Sequence, residues 1–100
     1  MWQTFGQQVV NAATLERLQY IAPEYPTSAR EQGTSGWVQL AFDVEKDGSV
    51  AHIAVLGSDP KYVFEEAAIA ALRRWRYRPV QKNGQAVEQR AQLRVRFALQ

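Results

Sequence analysis

The stretch DPKYVFEEAAIAALRRWRYRP, Asp59 to Pro79, decides the fold. Asp59 followed by Pro60 is typical of a helix start, because a carboxylate caps free amides and the missing proline N–H costs nothing there. Pro79 prevents the helix from continuing. Apolar side chains recur in between at helical spacing and form one stripe: Phe64, Ala68, Ala71, Leu72 and Trp75. The stretch predicts one long amphipathic helix over one face of a small sheet.

Two alternating runs before this helix predict a β-hairpin. Residues 37–45 alternate with period two, and residues 50–56 form the expected return strand. The segment 46–49, Lys-Asp-Gly-Ser, joins them, and Asp-Gly between alternating runs is a strong hairpin signal. The inward face of the first strand is Val38, Leu40, Phe42 and Val44.

A third alternating run, residues 90–99, closes the chain. Its apolar face is Ala91, Leu93, Val95, Phe97 and Leu99, and its polar face is Arg90, Gln92, Arg94 and Arg96. Because the helix carries the chain back, this strand should lie antiparallel beside the first strand. The predicted fold is α+β: a three-stranded antiparallel sheet, in the order second, first, last, with one long and one short helix on one face. The outer side of the last strand should be an open edge.

Shorter segments complete the domain. Pro26 can start a short helix over Thr27–Gln32, with Gly33 as its terminator. Residues 1–19 are expected to be a lead-in or linker, and residues 20–100 the folded domain. The end of the lead-in fits either a helical turn at 15–18 or, the reading we favour, an edge strand at 18–21.

Composition limits the function classes. The chain has 100 residues, enough for one domain, and its lack of cysteine excludes disulfides and thiolate metal sites. No apolar run reaches the roughly 20 residues of a membrane span, so any targeting segment is expected outside this sequence. Residues 1–71 carry four Lys or Arg against nine Asp or Glu, whereas residues 72–100 carry eight against Glu88 alone. The C-terminal third is therefore basic.

Candidate catalytic and metal-binding residues are few. His52 is the one histidine, and its position in the strand pattern indicates a solvated residue. A carboxylate run at Asp43, Glu45 and Asp47 resembles the opening of a calcium loop, but Ala54 stands where a bidentate glutamate is needed. We therefore expect no enzyme activity, no cofactor and no metal site.

The arginines of the last strand leave two interpretations open. Arg90, Arg94 and Arg96 could follow a phosphate backbone, as in some sheet-faced RNA binders. Long basic side chains also protect edge strands from aggregation. No stacking aromatic residue is expected on the arginine face, which weighs against nucleic acid as a partner.

The pieces in order resemble the C-terminal domain of TonB, the periplasmic energy transducer of Gram-negative bacteria. The matching segments are PEYP (23–26), WVQLAFDV (37–44), DGSV (47–50), FEEAAIAALRRWRYRP (64–79) and RVRFAL (94–99). The resemblance covers residues 20–99. It implies a domain held in the periplasm by an inner-membrane anchor and a proline-rich spacer outside this sequence, with ExbB and ExbD as partners of the anchor.

The resemblance also implies a binding mode and its residues. The domain would bind the TonB box of outer-membrane transporters for siderophores or cobalamin by β-strand addition. The pairing edge would be Ala91, Gln92, Leu93, Arg94, Val95, Arg96, Phe97 and Ala98. Contacts to the receptor plug would come from Tyr25, Pro26, Thr27 and Ser28. The best-studied members of the family have an arginine where Ser28 stands, so the salt bridge to the plug is not implied at this position, although Arg30 is close enough to substitute.

Two other functions remain alternatives: a TonB-like interaction domain on another envelope or regulatory protein, and a basic nucleic-acid binder. An exposed edge could also pair two copies into a strand-exchanged homodimer. The sequence does not specify the transporter, the transported substrate or the oligomeric state.

Overall fold

The computed structural model describes residues 8–99, which form an α+β domain. The helices are α1 (Thr27–Gln32) and α2 (Glu65–Leu72), with a 3-10 turn at Ala12–Thr14. The strands are β1 (Val10–Asn11), β2 (Arg17–Gln19), β3 (Gly36–Val44), β4 (Val50–Asp59), β5 (Arg76–Tyr77), β6 (Val80–Lys82), β7 (Gln85–Val87) and β8 (Gln89–Phe97). No helix in this part of the chain is long and apolar enough to cross a bilayer.

The main sheet confirms the predicted strand order. β4, β3 and β8 correspond to the second, first and last predicted strands, and β3 is antiparallel to both of its neighbours. The structure adds a short fourth strand that the sequence did not predict: β1 pairs in parallel with the outer side of β8, giving the order β1-β8-β3-β4. The edge predicted to be open therefore has a partner over part of its length.

The core lies on one face of this sheet. β3 and β8 are paired over nine consecutive residue pairs without a register shift, so their apolar faces coincide. The inward residues of β3 are fully buried and meet Ala91, Val95 and Phe97 of β8. Both helices and the residues that flank α2 cover this face through a buried set that contains Ala29, Phe64, Ala68, Leu72 and Trp75. The burial of Trp75, which is 3 % exposed, confirms its predicted core position.

Helix α2 is shorter than the predicted helix, although the predicted apolar stripe is buried. Asp59 is the last residue of β4 and does not cap the helix. The N-cap is Phe64, and no side chain caps the helix. The carboxylate of Glu65 instead ties the helix start to the preceding turn: it accepts hydrogen bonds from the Ser58 hydroxyl at 2.6 Å and the Tyr62 N–H at 2.8 Å. After Leu72 the chain turns into β5, because its backbone pairs with β2. Strand pairing thus ends the helix before Pro79 is reached.

Helix α1 matches its predicted bounds. Gly33 has φ of 68°, in the left-handed region that favours glycine at a helix end. The N–H groups of Gly33 and Thr34 bond to the carbonyls of Arg30 and Ala29, which satisfies the last turn. This compact ending places Ala29 in the core.

Smaller strand pairs complete the domain. β2 is antiparallel to β5, and its range overlaps the predicted edge strand at 18–21. β6 and β7 form a hairpin around Asn83 and Gly84, both with positive φ, as expected for an Asn-Gly turn. Part of the predicted lead-in, residues 1–7, lies outside the described residues. Residues 8–15 run along the sheet, and Ala12, only 4 % exposed, joins the core.

Glu65→Gln should lower the stability of the domain at neutral pH by about 1 kcal/mol and reduce its acid sensitivity. The hydrogen bond from Ser58, with that from the Tyr62 amide, holds the pKa of Glu65 below its ordinary value. A lowered folded-state pKa gives stability that is complete above the unfolded pKa and is lost as pH falls through the folded pKa. Urea unfolding from pH 7 down to about pH 3 should therefore show a steeper loss for the wild type.

Glu66→Gln is the matched control, because Glu66 is exposed on the same helical turn. It should leave the slope of stability against pH close to that of the wild type. Equal slopes for wild type and Glu65→Gln would show that the carboxylate does not anchor the helix.

Candidate functional site

Hydrogen-bonding directions along β3 determine which backbone groups of β8 face outward. Backbone groups of successive residues in a strand point alternately to its two neighbours. The N–H of Glu45, directly after β3, donates to the Ser49 carbonyl across the hairpin at 2.8 Å. Odd-numbered residues of β3 therefore face β4, and even-numbered residues face β8.

The register transfers this alternation to β8. Leu40 lies opposite Leu93 and Val38 opposite Val95, so the backbone groups of Leu93 and Val95 point inward to β3. The backbone groups of Gln92, Arg94 and Arg96 consequently point away from β3, toward the outer side of β8. Among residues 8–99, no backbone hydrogen bond reaches Arg94 or Arg96 from that side. The C-terminal half of β8 is an open edge within the described part of the chain.

The N-terminal half of the same edge is occupied. β1 pairs in parallel with it, Val10 opposite Ala91 and Asn11 opposite Gln92. The Gln89 side chain donates to the Gln8 carbonyl at 2.6 Å and holds the start of this segment. Of the predicted pairing edge, Ala91 to Ala98, the first two residues already have a strand partner, and Ala98 follows the end of β8. The unoccupied part is Leu93–Phe97, which we call the open edge.

A groove of about 690 Å³ runs beside the open edge. On the core side its wall is aromatic: the Arg17 guanidinium lies 4.3 Å from the centre of the Tyr20 ring and 4.6 Å from that of Trp75. The indole of Trp75 is fixed because its N–H donates to the Ile21 carbonyl at 2.8 Å. Tyr77 lies behind this wall, and burial raises the pKa of its phenol. The 3-10 turn contributes Ala12 and Ala13 to the groove lining.

The opposite wall carries the arginines of β8. The Arg94 guanidinium lies 3.9 Å from the centre of the Trp37 ring, and its Nε donates to Gln39 Oε1 at 3.1 Å. Trp37 is an aromatic residue on the arginine face, so the expectation that this face has none is wrong. Because Arg94 covers its ring, Trp37 is not a free stacking platform. Arg96 is exposed.

Arg90 differs from Arg94 and Arg96 because it forms an ion pair. Its guanidinium contacts Asp43 Oδ1 at 3.3 Å and donates to the His52 carbonyl at 2.8 Å. His52 Nδ1 lies 2.9 Å from Asp43 Oδ2, and the His52 side chain is 72 % exposed, as expected for a solvated residue. Glu45 has a ligand atom within 4.8 Å of those of Asp43 and His52. The positive charge of Arg90 therefore offsets the negative charge of these carboxylates.

The other end of the sheet provides a contrasting edge. β4 is the outermost strand on that side in the described residues, but its register against β3 shifts twice. His52, inside the second irregularity, has φ of 54°. Bulges of this kind twist an edge and interrupt its row of hydrogen-bonding groups. The regular β8 is therefore better suited to accept another strand.

The predicted plug-contact segment lies beside the end of the open edge. The Tyr25 ring packs against Phe97 with ring centres 5.9 Å apart and against Phe64 at 5.5 Å. Its hydroxyl donates to the Thr34 carbonyl. Arg30 is exposed and lies 5.2 Å from the Tyr25 ring centre. Pro26 is half-buried, and Thr27 and Ser28 are exposed at the start of α1. The two predicted contact regions thus adjoin through Tyr25 and Phe97.

Two features of the site were missed in the sequence. The first is β1, which is only two residues long and follows no clear period; the adjacent Val9 and Val10 were the available signal. The second is the stacking of the Arg17 guanidinium on the rings of Tyr20 and Trp75, which brings together residues far apart in the chain. The site as a whole offers unpaired backbone groups between an aromatic wall and a basic wall. This chemistry suits the binding of an extended peptide.

Known proteins give a consistent comparison. The family model described as the Gram-negative bacterial TonB protein C-terminal matches residues 21–99. The TonB protein of Escherichia coli K12 is 40% identical over 57 residues, which cover 57% of this chain and 24% of that protein. The TonB protein of Xanthomonas campestris strain B100 is 35% identical over 77 residues, covering 77% of this chain and 34% of that protein. The matched region is therefore a minor part of each relative.

Solved structures agree with the sequence comparison. The solution structure of the Pseudomonas aeruginosa TonB C-terminal domain superposes with a TM-score of 0.76 at 28% identity, covering 92% of this chain and 93% of that one. The TonB2 protein of Vibrio anguillarum superposes with a TM-score of 0.64 at 32% identity, covering 100% and 92%. With the family match over residues 21–99, these similarities show that the chain belongs to the TonB C-terminal domain family.

Proposed function

We propose that this domain is the receptor-binding part of a periplasmic TonB-type energy transducer, which captures the TonB box of outer-membrane transporters by β-strand addition. The transducer would couple the inner-membrane proton gradient to uptake of siderophores or cobalamin. ExbB, ExbD and the membrane anchor would act through a segment outside this sequence. The observation that carries the proposal is the regular open edge, where Arg94 and Arg96 present outward backbone groups.

Strand addition would use those groups directly. Each of the two residues offers one N–H and one carbonyl to an extended peptide. A net contribution of about 1 kcal/mol per hydrogen bond gives moderate affinity with little demand on peptide sequence. One domain could therefore serve several receptors.

The aromatic and basic walls would add selectivity. Side chains of an added strand alternate between the two faces of the sheet. One set would meet Trp75 and Tyr20, which favour apolar groups, and the other would meet Arg94 and Arg96, which favour acidic groups. Neither of these arginines has a carboxylate partner among the residues that the structure describes.

The geometry also suits the transmission of force. An added strand pulled along its own axis loads all its hydrogen bonds together, and β8 is anchored to β3 by nine pairs. Tyr25 and its neighbours would support the receptor plug at the end of the open edge. Arg30, exposed on α1, would take the part of the arginine that Ser28 replaces.

The other functions have weaker support. A TonB-like domain on another envelope protein would use the same edge for a different peptide, and a homodimer would pair two copies of it. Nucleic acid is disfavoured because Arg94 covers Trp37 and Arg90 is neutralised by Asp43. We propose no enzymatic role, cofactor or resident metal.

Arg96→Pro should weaken the binding of a TonB-box peptide about fivefold to tenfold, because proline removes one outward N–H donor and its ring obstructs the added strand. The domain should stay folded, since proline is tolerated where an edge N–H faces solvent. Isothermal titration calorimetry and urea unfolding measure the two effects.

Arg96→Ala is the matched control, because it removes the same side chain but keeps the N–H; it should retain most of the affinity. Val95→Pro removes an inward N–H and should cost about 3 kcal/mol of stability. Equal affinities of Arg96→Pro and Arg96→Ala would contradict binding through the backbone of this edge.

The double variant Arg94→Gln/Arg96→Gln separates peptide binding from nucleic-acid binding. Because strand addition relies on the backbone, TonB-box affinity should fall only about twofold to fivefold. This loss reflects the missing attraction between the two arginine charges and acidic groups of the peptide. Any binding of a single-stranded oligonucleotide should be nearly abolished and should depend steeply on salt. Fluorescence anisotropy with both probes provides the comparison. Tight oligonucleotide binding by the wild type, without peptide binding, would favour the nucleic-acid alternative.

A further inference from the structure

The N-terminal segment lies on the same backbone edge as the proposed peptide site. β1 pairs with Ala91 and Gln92 on the outer side of β8, and the open edge begins at the next residue, Leu93. β1 and an added peptide would therefore be collinear along one strand. A peptide that extends beyond Leu93 toward Gln89 needs the backbone groups that β1 uses.

The attachment of this segment is limited. Its strand has two residues, and Val9 beside it is 49 % exposed. Three other contacts hold it: the hydrogen bond from Gln89 to the Gln8 carbonyl, the buried methyl of Ala12, and the packing of half-buried Val10 against the core. Short strands with few buried contacts open at low free-energy cost. The open edge, by contrast, offers a new strand five residues, Leu93–Phe97.

Hydrogen bonds within the segment also connect its parts, so β1 and the 3-10 turn should detach together. The Asn11 side chain accepts from the Ala13 N–H at 2.9 Å, and the Thr14 hydroxyl donates to the Asn11 carbonyl at 2.7 Å. These bonds join β1 to the 3-10 turn, which lines the groove. Loss of the β1 pairing would therefore also displace part of the groove lining.

We propose that residues 8–14 act as an internal competitor that limits the peptide site to the open edge. A peptide of about five residues occupies Leu93–Phe97 and leaves the segment in place. A longer extended peptide displaces it and pairs with the whole of β8, which releases the N-terminal segment. This competition rests on the proposed strand addition. It specifies in addition how long a peptide must be to displace residues 8–14.

A reversible disulfide tests this competition. The chain has no cysteine, so Asn11→Cys/Gln92→Cys introduces one defined pair at directly opposed positions. Adjacent strand residues are within disulfide range, and Asn11 is exposed to the oxidant. The oxidised form locks β1 onto β8, and the reduced form of the same protein is its control. The single variant Asn11→Cys controls for the oxidant.

The probes are two capped peptides of alternating threonine and valine, five and nine residues long, measured by isothermal titration calorimetry. Oxidation should weaken binding of the nine-residue peptide at least about tenfold and change that of the five-residue peptide less than about twofold. In the reduced form, amide shifts of residues 8–14 should change only with the longer peptide.

Equal binding of the longer peptide to both redox forms would overturn the competition while leaving strand addition intact. Weakening of both peptides by oxidation would also overturn it, because the short peptide should not reach β1. Absence of binding by either peptide, with a folded domain, would refute the proposed function itself and the competition with it.

Discussion

The unbroken ladder between β3 and β8 is the constraint on which the rest of the structure depends. Nine pairs in one register place the apolar residues of both strands on the same face. The same register fixes the inward direction of Leu93 and Val95, and therefore the outward direction of Arg94 and Arg96. A shift of one residue would expose the core side chains and reverse the edge together. Folding and the proposed peptide binding thus share one determinant.

The two edges of the sheet differ in the way their proposed roles require. β4 is interrupted by two register shifts, which make it a poor template for pairing. β8 is regular, and its outer side lies between an aromatic wall and a basic wall. Natural sheets commonly protect their edges, so a regular edge that keeps unpaired groups beside a groove indicates a binding function. β1 covers part of the β8 edge, which is consistent with control of access to that edge.

Much of this fold could be predicted because its signals are local and periodic. The alternation in β3 and β8, the Asp-Gly turn and the apolar stripe through Phe64 and Trp75 gave the sheet order and the covered face. The helix was predicted too long, because Asp59 and Pro60 imitate a helix start. Its bounds depend on the hydrogen bond between Ser58 and Glu65 and on the pairing of β5 with β2, which the hydrophobic period does not show.

The site was less predictable for the same reason. Periodicity identified the edge strand and its arginines, but it does not show what lies beside an edge. The pairing of Val10 with Ala91 and the stacking of Arg17 on Trp75 join residues far apart in sequence. Such contacts between short segments leave little trace in composition or spacing. They also decide which part of β8 is free.

Amide hydrogen exchange along β8 tests the central claim most directly, with and without a saturating TonB-box peptide. In the free domain, Leu93 and Val95 should exchange slowly because their N–H groups bond to β3, whereas Arg94 and Arg96 should exchange rapidly. The peptide should slow Arg94 and Arg96 at least about tenfold and leave their neighbours protected. Slow exchange of Arg94 and Arg96 in the free domain, or no change in them on peptide binding, would contradict the account.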